Sequence, residues 1–233
     1  MSEWWTYRAS DFLMFSPSAY WRLMELHNAY LWPWHLLLLG AGAALLLGVC
    51  LRWPRAAPLG AALLSALTLF TAWSFVELRY GQINSAAHAM ALVLAASAIG
   101  LAMLALGRLN TGWASGLRRR FGIGLLAFAL AGLPLTALLL GRPLLQAEWF
   151  GLMPDPTVFA VLAWLLCTRR THSQEQVAGW MRAAVWTISI VWCAASAATL
   201  ATMGSAQALV PAAVAVLAAA VAFADRVVVS RAV

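Results

Sequence analysis

The stretch Glu148-Trp149-Phe150-Gly151-Leu152-Met153-Pro154-Asp155-Pro156-Thr157 stands between two apolar runs, and its reading decides the architecture. It carries two carboxylates and two prolines, which suit a loop better than ordinary spanning helix. The apolar run after it, Val158 to Cys167, rises only about 15 Å as a helix, against about 30 Å of hydrocarbon. Either the preceding stretch contributes depth or this helix is a half-span. Irregular backbone at membrane depth is tolerated only where protein or a water-filled cavity covers its polar groups. This stretch is therefore where function is first sought. Asp155 between its prolines reads as an N-cap, with Pro156 at the first helical position and the carboxylate accepting free backbone N–H groups. A helix start partway down the membrane would also present a positive dipole to a cavity. In that geometry Glu148 to Pro154 folds back over the helix, and the cavity is bordered by helices 1 to 3.

The rest of the chain sets this stretch in a membrane. Of 233 residues, 64% are hydrophobic and only 10% charged, with mean hydropathy +0.82, so this is an integral membrane protein. The formal charge of +7 comes from arginine alone, since the sequence has no lysine. These arginines fall between apolar runs, and they read as topology determinants rather than a nucleic-acid interface. Cys50, Cys167 and Cys193 are scattered among apolar neighbours, so neither a disulfide framework nor a zinc site is expected. No cleavable leader is expected either.

Residues 1–33 form an aromatic-rich N-terminal segment, and residues 34–233 the membrane domain. Ser16-Pro17 is a helix-start signal. Beyond it Tyr20, Leu23, Met24, His27, Tyr30 and Leu31 recur at helical spacing, with Arg22, Glu25 and Asn28 or Ala29 opposite. The expectation is an amphipathic helix lying in the membrane interface and ending before Pro33. Seven apolar runs follow, at 34–51, 57–76, 86–107, 121–141, 157–168, 183–203 and 206–224. The expected fold is thus all-α, a polytopic transmembrane bundle of seven spans whose fifth is short or broken. With all seven crossing, eleven of the fifteen arginines share one side, among them Arg52, Arg118, Arg119, Arg120, Arg169, Arg170 and Arg182. The positive-inside rule makes that side cytoplasmic, with the N-terminus outside and the C-terminus inside. Glu25, Glu77, Glu148, Asp155, His27, His35 and His88 then gather at the outer half. No acid or base stands mid-span, where ion-coupled transporters usually place one. Pro134 and Pro211 are expected to kink or start their helices, and Gly204-Ser205 to make a tight hairpin.

The candidate binding residues at the outer face are Glu148, Asp155, Thr157, Asn84, Glu77, His88 and His35. His35 and His88 lie at similar depth on different helices and could ligate a haem or a metal from opposite faces. No spacing motif supports such a site, and no cofactor is evident. Arg118-Arg119-Arg120 and Arg169-Arg170 suit anionic headgroups as well as topology. Ser-His-Asp, P-loop, HExxH and CxxC patterns are absent, so no catalytic residue is named and an enzyme is not the expected class.

Three segments together resemble a family of bacterial multi-pass membrane proteins known only as a domain of unknown function. They are Asn28-Ala29-Tyr30-Leu31-Trp32-Pro33, Ile83-Asn84-Ser85-Ala86-Ala87 and Gly151-Leu152-Met153-Pro154-Asp155-Pro156-Thr157. The resemblance implies a bundle of this topology in the bacterial inner membrane, and it carries over no activity or catalytic residue. The leading expectation is a non-enzymatic protein in the lipid bilayer. It is either an accessory subunit docking on other membrane subunits or a small-molecule-binding protein with its site at the outer face. A transporter or channel using a broken fifth helix, and a haem- or metal-binding redox protein, stay open.

Overall fold

A computed structural model describes residues 14–106, 111–170 and 176–231. The first thirteen residues of the aromatic-rich segment, and Arg108 among the arginines counted above, lie outside these residues. The described chain is almost wholly helical. In order it forms α1 (Pro17–Tyr30), α2 (Trp34–Cys50), α3 (Ala56–Thr71), α4 (Ala87–Leu106), β1 (Thr111–Trp113), α5 (Gly116–Ala127), α6 (Leu133–Leu139), α7 (Pro154–Cys167), β2 (Thr168–Arg170), α8 (Gln176–Thr202) and α9 (Leu209–Arg231). Wider π turns extend α3 through Ala72–Glu77 and join α5 to α6 through Phe128–Gly132. The second has a plain cause, since Pro134 has no amide to give the carbonyl one turn back and the helix widens around it. Pro211 stands in the first turn of α9, and Gly204 turns the chain between α8 and α9 at φ +69°.

Helices stand at all seven apolar runs. Five of them are long and apolar enough to cross a membrane: Ala56–Gln82, Ala87–Leu106, Gly116–Leu139, Gly179–Thr202 and Ala206–Asp225. A sixth candidate is the pair α1–α2, bent by 89° around Leu31–Pro33. The fold is that of a multi-pass helical membrane protein.

The exception is α7, whose 14 residues are all buried. It is wrapped by α3, α5, α8 and α9, so its all-round apolarity meets protein on every side. Close approach is secured by glycine. A Cβ on Gly60 would stand 3.1 Å from the Trp164 ring, and one on Gly122 would stand 2.6 Å from Cys167 Sγ. Trp164 Nε1 donates to the Ala57 carbonyl at 3.0 Å, so the one polar atom of that buried ring is satisfied.

The two ends of this short helix differ in chemistry. At one end arginines cover carbonyls that helix termini leave open. Arg118 donates to Leu165 and Leu166 carbonyls at 3.0 and 3.1 Å, and Arg182 to Leu165 and Thr168 carbonyls at 3.0 and 2.9 Å. Arg119 does the same for Val49 and Cys50 at the end of α2. Asp225 ties Arg118 and Arg169 together, and the short β1–β2 ladder closes the same end. Arginines read as topology determinants therefore also cap the C-termini of α2 and α7. The other end holds α1 and the Glu148 segment.

Ser16 caps α1 as expected, accepting from the Ala19 amide at 3.2 Å with Pro17 at the first position. Its faces differ from the expectation. Leu23, Met24, His27 and Asn28 are buried, whereas Tyr30 is 75% exposed. Asn28 is inside because its amide donates to the Leu145 and Ala147 carbonyls at 2.8 and 2.9 Å, binding α1 to the segment that leads into α7. Cys50, Cys167 and Cys193 are all free thiols, the last two buried.

Candidate functional site

Three expectations for the Pro154-Asp155-Pro156 motif are corrected by the structure. The helix starts at Pro154 rather than Pro156, its N-cap is Met153, and no side chain caps it. The prolines themselves explain this. Of the four amides that open an α-helix without a partner, two belong to Pro154 and Pro156 and do not exist. A third, that of Met153, donates to the Trp149 carbonyl at 3.0 Å. Only the amide of Asp155 is left for which the helix offers no acceptor, so the motif has little need of a capping carboxylate. Proline in the first turn, far from forbidding helix, makes this start self-sufficient.

Relieved of capping, the Asp155 side chain reaches across to α8. It accepts from Trp192 Nε1 at 2.7 Å and from Ser196 Oγ at 2.5 Å, all three groups being buried. Thr157 holds the preceding turn, accepting from the Gly151 amide at 3.1 Å and donating to the Met153 carbonyl at 2.8 Å. Gly151 takes φ +75° where the chain passes between α2 and α3, with Leu38 and Leu67 close by. Phe150 shares the notch at Gly42 of α2 with Leu130. The segment before α7 is thus packed into the bundle rather than folded back as a free loop.

Glu148 is 2% exposed. Its Oε1 accepts from Gln207 Nε2 at 2.8 Å, and its Oε2 has no protein partner. Gln207 in turn accepts from Arg142, whose guanidinium lies 3.6 Å above the Trp21 ring. Gln207 therefore relays between a cation and a carboxylate that do not touch. Burial and the neighbouring Asp155 push the Glu148 carboxyl well above the usual carboxylate range, against the pull of Arg142.

Glu148 and Asp155 line one cavity of about 30 Å³, together with Tyr20 of α1, Tyr80, and Ser196 and Thr199 of α8. Phe75 and Val76, on the π turn that extends α3, complete its floor. π turns recur at functional sites because they aim side chains that a regular helix would turn away. The volume holds about two waters.

The other expected site residues do not line this cavity. Glu77 pairs with His88 at 2.7 Å on an exposed groove beside Trp73 and Leu92. Asn84 Oδ1 accepts from the Ala86 amide and so shapes the turn into α4. His35 is buried, with Nε2 3.4 Å from Asn28 Oδ1 and its ring edge-on to Trp149. His35 and His88 thus face different neighbours, and among the described residues no three His, Cys, Asp or Glu side chains gather to hold a metal. The structure puts Glu148 and Asp155 on one cavity, with Thr157 bonded to the turn before α7; Glu77, Asn84 and His88 do not line that cavity.

Several site residues carry no sequence signal. Trp192 and Ser196 sit in an apolar, small-residue run where packing accounts for every position. Gln207 follows a hairpin and reads as a turn residue. Arg142 offered the best hint, a lone arginine between apolar segments on the side poorer in positive charge. No family model, no curated protein and no solved structure matches the chain.

Proposed function

We propose that this chain is a non-enzymatic multi-pass protein of the bacterial inner membrane that binds a small ligand in the Glu148–Asp155 cavity at its outer face. One observation carries the reading: a buried carboxylate with an unpartnered oxygen lines a cavity that a second buried carboxylate also lines. Such a group costs free energy in an empty protein and is retained where something else meets it. In this reading α2 to α9 span the bilayer with the N-terminus outside, α1 lies in the interface, and the arginine end faces the cytoplasm. The charge asymmetry supports that orientation. The motif resemblance supports membership of the bacterial family of unknown function.

Single cysteines in a cysteine-free chain test both halves. Ser205→Cys is expected to label from outside intact cells and Ser115→Cys only after the membrane is opened. Thr199→Cys, half-buried at the rim of the cavity, reads the local potential without the reagent having to enter. A cationic methanethiosulfonate is expected to react with it faster from the outside than an anionic one, and Glu148→Gln to bring the two rates together. Equal rates in the parent chain refute the ligand site; labelling of Ser115 and Ser205 from the same side refutes the topology.

A further inference from the structure

We propose that the ligand of the Glu148–Asp155 cavity is one monovalent inorganic cation of about sodium size; the proposal rests on the small-ligand reading above. Charge balance is the first ground. In their ionised forms Glu148 and Asp155 bring two negative charges into the protein, so a cation competes there with the proton that burial favours on Glu148, and Arg142 brings one positive charge to the same network through Gln207. One elementary charge is left over, and one monovalent cation removes it. A divalent ion would overshoot and leave a buried positive charge instead.

Donor chemistry is the second ground. Oε2 of Glu148 is buried and unpartnered while Oε1 is spent on Gln207, which stands outside the cavity wall, so Oε2 is the atom free to meet an ion. Around it the wall offers the Asp155 carboxylate and the hydroxyls of Tyr20, Tyr80, Ser196 and Thr199. All are hard oxygen donors, the set that alkali and alkaline-earth ions take. The thioethers of Met24, Met90 and Met153 share the wall but are outnumbered, and soft metals find no thiolate there.

Volume is the third ground. A proton shared by two carboxylates needs no cavity between them, whereas about 30 Å³ is open here. That space takes a dehydrated ion with one water, and it is too small for an ion that keeps a full hydration shell, as magnesium does. Organic ammonium ligands are excluded on the same count.

Binding of radiolabelled sodium to the detergent-purified full chain, in choline chloride above neutral pH, tests the proposal. The expected result is saturable uptake of one ion per chain, competed by unlabelled lithium or potassium according to size. Glu148→Gln keeps the Gln207 contact and is expected to weaken uptake by about tenfold or more, the loss of one charge-assisted contact. Asp155→Asn, which keeps an acceptor for Trp192, is the second variant and is expected to act likewise. Absence of saturable uptake of sodium, lithium and potassium by the parent chain overturns the proposal, and that result needs no variant to fold. Unchanged uptake in both folded variants overturns it as well. If the Thr199→Cys rates favour the cationic reagent and no ion is taken up, the cation is wrong and the cavity reading stands. If the rates are equal, both fall.

Discussion

Asp155→Ala removes a carboxylate that accepts two buried hydrogen bonds, from Trp192 at 2.7 Å and Ser196 at 2.5 Å. The two donors respond differently. The Ser196 hydroxyl can swing to a carbonyl one turn back on α8, so its loss is small. The indole N–H of Trp192 is fixed in a packed ring and stays unsatisfied, at about 1–3 kcal/mol. Against this, one buried negative charge beside Glu148 disappears, which returns part of the loss. The net expectation is a destabilisation of about 2 kcal/mol. In a Trp192→Phe background the orphaned donor no longer exists, and the same substitution should cost about 1 kcal/mol or less. The coupling is therefore about 1 kcal/mol or more, well outside the roughly 0.3–0.5 kcal/mol within which independent sites add. Unfolding of the four chains in mixed micelles of mild detergent and dodecyl sulfate, followed by far-ultraviolet circular dichroism, measures it. If Asp155→Ala costs the same in both backgrounds, the carboxylate acts on its own helix start and the cross-helix reasoning is wrong.

Arg118→Lys keeps a charge but cannot cover Leu165, Leu166 and Asp225 from one head group; a loss of about 2 kcal/mol is expected in the same unfolding assay. Gly122→Ala drives a methyl against Cys167 Sγ and the Ala163 carbonyl, at 2.6 and 2.9 Å, both on a helix with no free side to move to. It should cost about 1–3 kcal/mol, whereas Gly124→Ala, with nothing within 4 Å, should be close to neutral. The raised Glu148 carboxyl favours the folded state while protonated, so that contribution is present at low pH and lost as pH rises through its folded-state titration. In sodium-free choline buffer the melting midpoint is therefore expected to fall with rising pH, while Asp155, Tyr20, Tyr80 and Arg142 around it are unchanged in sequence. Glu148→Gln should flatten that slope, and a parent chain with no slope contradicts the assignment.

Composition and hydropathy alone determined that this is a helical membrane protein, because twenty-odd apolar residues in a row leave the backbone no other way to satisfy itself in lipid. The positions of the helices followed for the same reason: all seven runs are helical, and Ser16-Pro17 starts α1 where its local chemistry says it must. The same local logic failed at Asp155. An aspartate between prolines is a good cap in isolation, but which amides lack partners depends on how the chain enters the helix, and here Trp149 and the prolines had already answered for them. The sequence also placed Glu148 and Asp155 in a polar connection with Glu77, Asn84 and His88 near by, since alternation of runs fixes which end a residue belongs to and nothing more. Which residues at that end touch is a matter of how the helices pack around one another, and that packing set Asp155 against Trp192 and Ser196, some forty positions away. A helix buried on all sides looks, in sequence, like a short helix facing lipid, because lipid and protein interior ask for the same side chains. Only the tertiary structure tells them apart, and with them whether the carboxylates at its start meet headgroups or a cavity lined by protein.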